Sequence, residues 1–176
     1  IGDPSDKSAT RRRLTKEEIE GHFKTYKQQV AKILDFDGEN PVEVRFNADW
    51  LSKLTFENVI ELAAEFTVQQ IIERDVFQKR IAEQKPLYLH EFLYPLAQGY
   101  DSIALEVDAE IGGTDQIFNM LVGRTLVKSH LGKEKFTIAT PLLVNPKTGT
   151  KMMSKSEGNY VSLQDTAEDM FGKIMA

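Results

Sequence analysis

Apolar residues recur along this chain at two spacings, and the changes between them mark the elements. Thr15-Lys16-Glu17-Glu18 fits a capping box, in which the Thr and Glu side chains satisfy each other's backbone N–H groups. Ile19, Phe23, Tyr26, Val30, Ile33 and Leu34 follow at steps of three and four, which predicts a long amphipathic helix. Gly38 to Pro41 breaks the pattern, and Val42 to Phe46 alternates as a strand would. Helical spacing returns over Thr55–Glu65, Asp75–Glu83 and Leu89–Ala104, the last with a bend expected at Pro95. Leu105–Ile111 alternates as a short strand and stops at Gly112-Gly113. Thr114 is placed to cap a helix running to about Leu131 and ended by Gly132. Phe136–Val144 reads as a strand, Asn145–Gly149 as a turn, and Asp165 or Thr166 as the start of a final helix. Helices alternating with short strands predict an α/β layer fold with a largely parallel sheet. In such sheets ligands sit beyond the carboxyl ends of the strands.

Composition narrows the picture only modestly. A chain of 176 residues is long enough for one domain with a buried core. A net charge of -5 excludes a uniformly basic nucleic-acid coat but leaves room for a local basic patch. There is no cysteine, so disulfides, thiol catalysis and Cys-based zinc sites are excluded. No apolar run approaches the ~20 residues of a membrane span, and an intracellular, cytoplasmic location without membrane contact is the default expectation. The chain begins Ile1-Gly2-Asp3-Pro4 and stops at Met175-Ala176 inside a helical pattern, so both ends read as those of an interior segment. His22, His90 and His130 are scattered and form no metal-ligand spacing. Trp50 and the phenylalanines read as core.

Four segments are candidates to carry chemistry. Tyr94, Gln98 and Asp101 stand at i, i+4 and i+7 and share one helix face. They present a phenol, an amide and a carboxylate to a common space, suited to a ligand with an ammonium group and a distant hydroxyl. A solvated polar stripe would show the same spacing. Gly112-Gly113-Thr114-Asp115-Gln116 joins a strand to a helix. Its glycines allow close approach of a flat ligand, the helix start offers N–H groups to an anion, and Asp115 offers an acceptor to ribose hydroxyls. A plain strand-to-helix turn is the alternative. Gly149 to Asn159 contains Lys151-Met152-Met153-Ser154-Lys155-Ser156 between glycines, a composition suited to a mobile loop that closes on phosphates. At the other end, Gly2-Asp3-Pro4-Ser5-Asp6-Lys7-Ser8 is not a P-loop, because Asp6 stands where the second glycine is required. Asp3 there is a candidate buried acceptor and Lys7 with Arg11 a candidate phosphate clamp; a solvated basic loop is the alternative.

In order and spacing these strings, together with Phe46-Asn47-Ala48-Asp49-Trp50-Leu51, resemble the tyrosyl-tRNA synthetases of the bacterial type, which are class I aminoacyl-tRNA synthetases. The resemblance runs along essentially the whole chain. It implies an incomplete doubly wound, Rossmann-like parallel sheet of a class I catalytic domain, with a mostly helical inserted segment over about 55–93. It implies ATP-dependent activation of L-tyrosine to tyrosyl-adenylate and transfer to tRNA(Tyr), with ATP and Mg2+ as a substrate complex and a homodimeric enzyme whose contact region would fall near Phe66–Leu93. Carried over by position, Asp101 matches the acceptor for the phenolic hydroxyl. Tyr94, Gln98 and Asp3 match the ammonium-binding group, and Gln116 a contact near the tyrosine carboxyl or adenylate. Gly113 and Asp115 match adenosine and ribose contacts, and Met153, Ser154, Lys155 and Ser156 the ATP-binding signature loop. Lys155 matches the lysine that holds the pyrophosphate, and Lys7 and Arg11 match positions near it.

The chain departs from the family pattern in three ways. The first signature, a His-Ile-Gly-His type string, would lie before Ile1, and the anticodon-binding region would lie after Ala176. The usual first lysine of Lys-Met-Ser-Lys-Ser is Met152, with Lys151 one place back. The expectation is therefore a tyrosine–tRNA ligase, with this chain alone inactive. A non-catalytic tyrosine- or RNA-binding fragment and a tryptophanyl-tRNA synthetase are the alternatives.

Overall fold

The computed structural model describes residues 15–145, 147–153 and 160–175. In chain order its elements are α1 (Lys16–Val30), α2 (Ala48–Leu51), α3 (Phe56–Ala64), α4 (Val68–Ile72), α5 (Asp75–Ala82), α6 (Leu89–Ala104), β1 (Ala109–Gly113), a one-turn 3-10 helix (Thr114–Gln116), α7 (Ile117–Leu131), β2 (Phe136–Thr140) and α8 (Ala167–Met175). They form two compact units, one built on Phe46–Pro141 and the other on residues 15–45 and 142–175.

The first unit is organised around a strand–helix–strand crossover. β1 and β2 are parallel neighbours, with Ala109 opposite Phe136 and Gly113 opposite Thr140. Parallel neighbours need a crossover, and α7 supplies it. α6 packs along α7, and Leu96, Val122 and Leu126 meet Leu62 of α3 at the centre of the core. Burying a side chain such as Leu126 stabilises the fold by about 1.5–3 kcal/mol. Two glycines set how closely these helices approach. A Cβ on Gly99 would lie 2.8 Å from Leu126 Cδ1, and one on Gly123 would lie 2.7 Å from Ser102 Oγ. The local signals agree with the tertiary arrangement. Thr55 and Thr67 cap α3 and α4 through capping boxes, and Gly132 ends α7 at φ +65, a left-handed backbone that favours glycine. Pro95 sits inside α6 and is buried, yet the helix runs unbroken through it.

The side chains of a strand alternate between faces, so Glu110 and Gly112 share one face of β1. Ile111 lies on the other, with Phe136 and Ile138 of β2. The Glu110 face looks onto α6 and α7: Glu110 bonds Gln98 and Ser102 of α6, and Gly112 lies against Met120 of α7. Ile111, Phe136 and Ile138 are exposed.

In the second unit, the predicted capping box at α1 is present: Thr15 N–H donates to Glu18 Oε2 at 2.8 Å, and Glu18 N–H donates to Thr15 Oγ1 at 3.2 Å. Its apolar stripe is less buried than the spacing suggested, with Ile19 and Tyr26 exposed and Ile33 beyond the helix end. Lys32 Nζ donates to the Leu163 carbonyl at 2.5 Å, tying the segment after α1 to the approach of α8. Thr166 accepts from Asp169 N–H at 3.1 Å and so caps α8, as expected.

Three strand expectations need correction. Residues 42–46 form no strand. Among the described residues, Val42 N–H donates back to Asp35 C=O and Glu43 pairs with Arg45, so the alternation there does not build a strand. β1 starts at Ala109 rather than Leu105 and takes in both glycines, because Val107 N–H closes a turn onto Ser102 C=O and Glu106 adopts φ 49. β2 ends at Thr140; beyond it Val144 bridges antiparallel to Lys151.

Candidate functional site

The site of the first unit is assembled on α6. Its start is pinned by a buried ion pair: the Arg80 guanidinium of α5 donates to both Glu91 oxygens, at 2.5 and 3.0 Å, and also to the Pro86 carbonyl. Glu91 Oε1 also accepts from Tyr88 N–H at 3.0 Å, which fixes the first turn. Burial pushes the Glu91 carboxyl up, but the hydrogen bonds from Arg80 and Tyr88 outweigh it and leave it below the usual glutamate range.

From that anchored start, α6 carries Tyr94, Gln98 and Asp101 inside one continuous helix, and all three are half-buried. Asp101 is the best defined. Trp50 Nε1–H of α2 donates to its Oδ1 at 2.7 Å, and Asn47 Nδ2–H reaches its Oδ2 at 3.4 Å. Burial raises the Asp101 carboxyl above the usual aspartate range. The Trp50 and Asn47 bonds oppose that, and the nearby Glu110 charge adds to it. Such a carboxylate is oriented, partly desolvated and ready for a further donor such as a hydroxyl.

Gln98 is held from the sheet. Its Nε2–H donates to Glu110 Oε1 at 3.1 Å. The other Glu110 oxygen accepts from Lys135 Nζ and, at 3.4 Å, from Ser102 Oγ–H. The Lys135 ammonium also donates to Ser102 Oγ at 2.8 Å and to the Met120 carbonyl at 3.3 Å. Lys135 is 1% exposed, so this is a built interior group rather than a surface lysine.

At the carboxyl end of β1, Gly112 is closely approached: a Cβ there would lie 3.2 Å from both Gln116 Cβ and Met120 Sδ. Gly113 is extended, at φ -70 and ψ 161, and opens a 3-10 turn rather than a helix capped by the Thr114 side chain. Asp115 and Gln116 lie in that turn, both half-buried, and Gln116 Oε1 accepts from the buried Asn119 Nδ2–H at 3.0 Å. The segment therefore puts a carboxylate and an amide just past a strand end, where ligands of parallel sheets bind.

In the second unit, a short hairpin leads into the signature segment. Met152 N–H donates to Leu143 C=O at 2.8 Å, Asn145 N–H to Thr150 C=O at 2.9 Å, and Gly149 turns at φ +67. Met153 follows at φ 70 and is exposed. Ser154, Lys155 and Ser156, like Asp3, Lys7 and Arg11, lie outside the described residues. Among the described residues no group of three or more His, Asp or Glu is arranged to hold a metal ion, and no helix is long and apolar enough to cross a membrane.

Five site-building residues, Asn47, Trp50, Ser102, Glu110 and Lys135, stand outside the candidate residues read from the sequence. Trp50, read as core, is instead an Asp101 donor. Ser102, Glu110 and Lys135 lie in none of the sequence motifs. Only Trp50 and Asn47 carried a signal, since both lie in the string that supported the resemblance.

Solved structures share this fold. Tyrosyl-tRNA synthetase from Archaeoglobus fulgidus, in a crystal structure complexed with L-tyrosine, is 28% identical with a TM-score of 0.65, over 92% of this chain and 49% of that one. The parallel strands and their crossover helix are thus part of the Rossmann-like α/β catalytic fold of class I tRNA synthetases. More narrowly, the family described as tRNA synthetases class I (W and Y) matches residues 1–176, and the chain belongs to it. Among curated relatives, the tyrosine--tRNA ligase of Mannheimia succiniciproducens is 51% identical and that of Haemophilus influenzae 49%, each over the whole of this chain. The chain spans 44% and 43% of their respective lengths.

Proposed function

We propose that this chain is part of a tyrosine–tRNA ligase, which activates L-tyrosine with ATP and passes it from tyrosyl-adenylate to tRNA(Tyr). The observation that carries this reading is the Asp101 carboxylate, oriented by Trp50 on a face shared with Tyr94 and Gln98. The identity of about half to curated tyrosine–tRNA ligases supports it. A tyrosine side chain would donate its hydroxyl to Asp101, and its ammonium would donate to Tyr94, Gln98 and Asp3. A site built around a buried hydroxyl acceptor rejects phenylalanine, because the acceptor is then left unpaired; the handicap of such a loss is known for this enzyme class.

The chemistry needs no acid–base residue. The tyrosine carboxylate attacks the α-phosphate of ATP, forming the mixed anhydride and releasing pyrophosphate, so the protein's part is positioning and charge stabilisation. In this reading Gln116 lies near the tyrosine carboxyl, and Gly113 and Asp115 contact adenosine and ribose. Met153, Ser154, Lys155 and Ser156 hold the ATP phosphates, with Lys155, Lys7 and Arg11 around the departing pyrophosphate. Magnesium enters with ATP as part of the substrate. Residues 1–176 belong to one catalytic domain with a helical insertion over about 55–93, acting in the cytoplasm. The enzyme is read as a homodimer; exposed Val68, Ile81 and Leu89 within Phe66–Leu93 support a contact there.

Pyrophosphate exchange by the full-length protein tests the reading. Exchange is expected with tyrosine and not with tryptophan, and the reverse result would overturn it. Lys155→Ala should slow exchange about a hundredfold or more, as loss of one preorganised transition-state contact does.

A further inference from the structure

We infer that the buried Lys135–Glu110 pair is a positioning device that sets which end of the Gln98 amide faces the substrate, and that it thereby makes the site selective for an ammonium-bearing ligand. The inference rests on the proposed tyrosine site and deepens it. A glutamine amide has a donor end and an acceptor end of nearly the same shape, and its environment decides which way it points. An ammonium ligand can use only the acceptor end. Gln98 Nε2 lies 3.1 Å from Glu110 Oε1. A carboxylate accepts and never donates, so the amide nitrogen must face Glu110 and the carbonyl oxygen must face away from it.

That lock holds only while the Glu110 carboxylate stays in place, and the structure holds it there. Lys135 Nζ has three N–H donors, and three acceptors meet them: Glu110 Oε2, Ser102 Oγ and the Met120 carbonyl. Strand alternation puts Glu110 and Lys135 on the helix-facing side of the sheet, since Lys135 immediately precedes Phe136 and Phe136 pairs with Ala109. Gly123 leaves the room for the ammonium, because a Cβ there would lie 2.6 Å from Lys135 Nζ. A lysine so fully enclosed has no access to substrate. It acts through Glu110, and Glu110 through Gln98.

The test compares tyrosine with 3-(4-hydroxyphenyl)propanoate, the same molecule without its ammonium, by equilibrium titration of the full-length protein. Glu110→Gln lets the Gln98 amide turn either way. It should weaken tyrosine roughly ten- to hundredfold, the range of one charge-assisted hydrogen bond, and leave the des-amino acid within about twofold. In exchange kinetics KM for tyrosine should rise while KM for ATP holds. The double variant Lys135→Met, Glu110→Gln leaves no charge buried alone and keeps the test open if the single variant fails to fold; it should show the same selective loss. Equal weakening of both ligands, or of neither, in a folded variant overturns the inference. Wild-type exchange separates the two claims. Without tyrosine-dependent exchange the proposed function fails and the inference with it. With it, unchanged discrimination in the variants sinks the inference alone.

Discussion

Two buried ion pairs sit in the same unit and do different things. Arg80–Glu91 closes the start of α6, with both side chains less than a tenth exposed. Lys135–Glu110 lies beside the middle of the same helix, with the lysine side chain fully enclosed and the glutamate 24% exposed. Beyond their own contact, Arg80 and Glu91 bond backbone groups, Pro86 C=O and Tyr88 N–H. Glu110 spends its spare oxygen on Gln98, a residue of the candidate site. Burial and charge alone therefore do not mark a functional pair. What marks it is where the unused lone pair goes.

That contrast can be broken by substitution. The largest effect is expected at Arg80→Met, which leaves Glu91 buried without its cation. Stability should fall by about 3–5 kcal/mol in denaturant unfolding, while the folded enzyme keeps its KM for tyrosine. A raised KM with intact folding would erase the distinction between the pairs. Asp101→Asn should do the opposite. Loss of the charged acceptor should weaken tyrosine by about 1.5–3 kcal/mol, with folding stability at neutral pH unchanged or higher. Gly123→Ala pushes a methyl into Lys135 Nζ and Ser102 Oγ, and should cost about 1–3 kcal/mol of stability together with some tyrosine affinity. Retained affinity would show that Gln98 does not depend on the lysine. Gly132→Ala, strained only by its positive φ, should cost about 1 kcal/mol and leave binding untouched.

The two helix carboxylates also titrate in opposite senses. The folded pKa of Glu91 is lowered, so the native state binds fewer protons than the unfolded chain there. Its contribution is present above the ordinary glutamate range and is lost as pH falls through the folded value. The folded pKa of Asp101 is raised, so stability instead declines as pH climbs from the ordinary aspartate range through the folded value. Unfolding followed from pH 3 to 7 should show a shallower acid loss in Glu91→Gln and a steeper net rise in Asp101→Asn. Parallel curves for the two variants would contradict the assignment.

The sequence by itself determined the elements whose reasons are local. α6 was legible to its last residue, and α7 to its glycine stop, because caps and three-four spacing are short-range properties. The face shared by Tyr94, Gln98 and Asp101 follows from helix geometry alone. Strands were less legible, since alternation at 42–46 says nothing about whether a partner strand lies alongside. Only the tertiary structure decided what holds the face. Trp50 reaches Asp101 across 51 residues and Lys135 reaches Glu110 across 25, and no local pattern encodes either meeting. A buried lysine and a surface lysine are the same letter. The space left by Gly123 and the three acceptors around Lys135 make this one an interior group, and both exist only once α6, α7 and the two strands have packed.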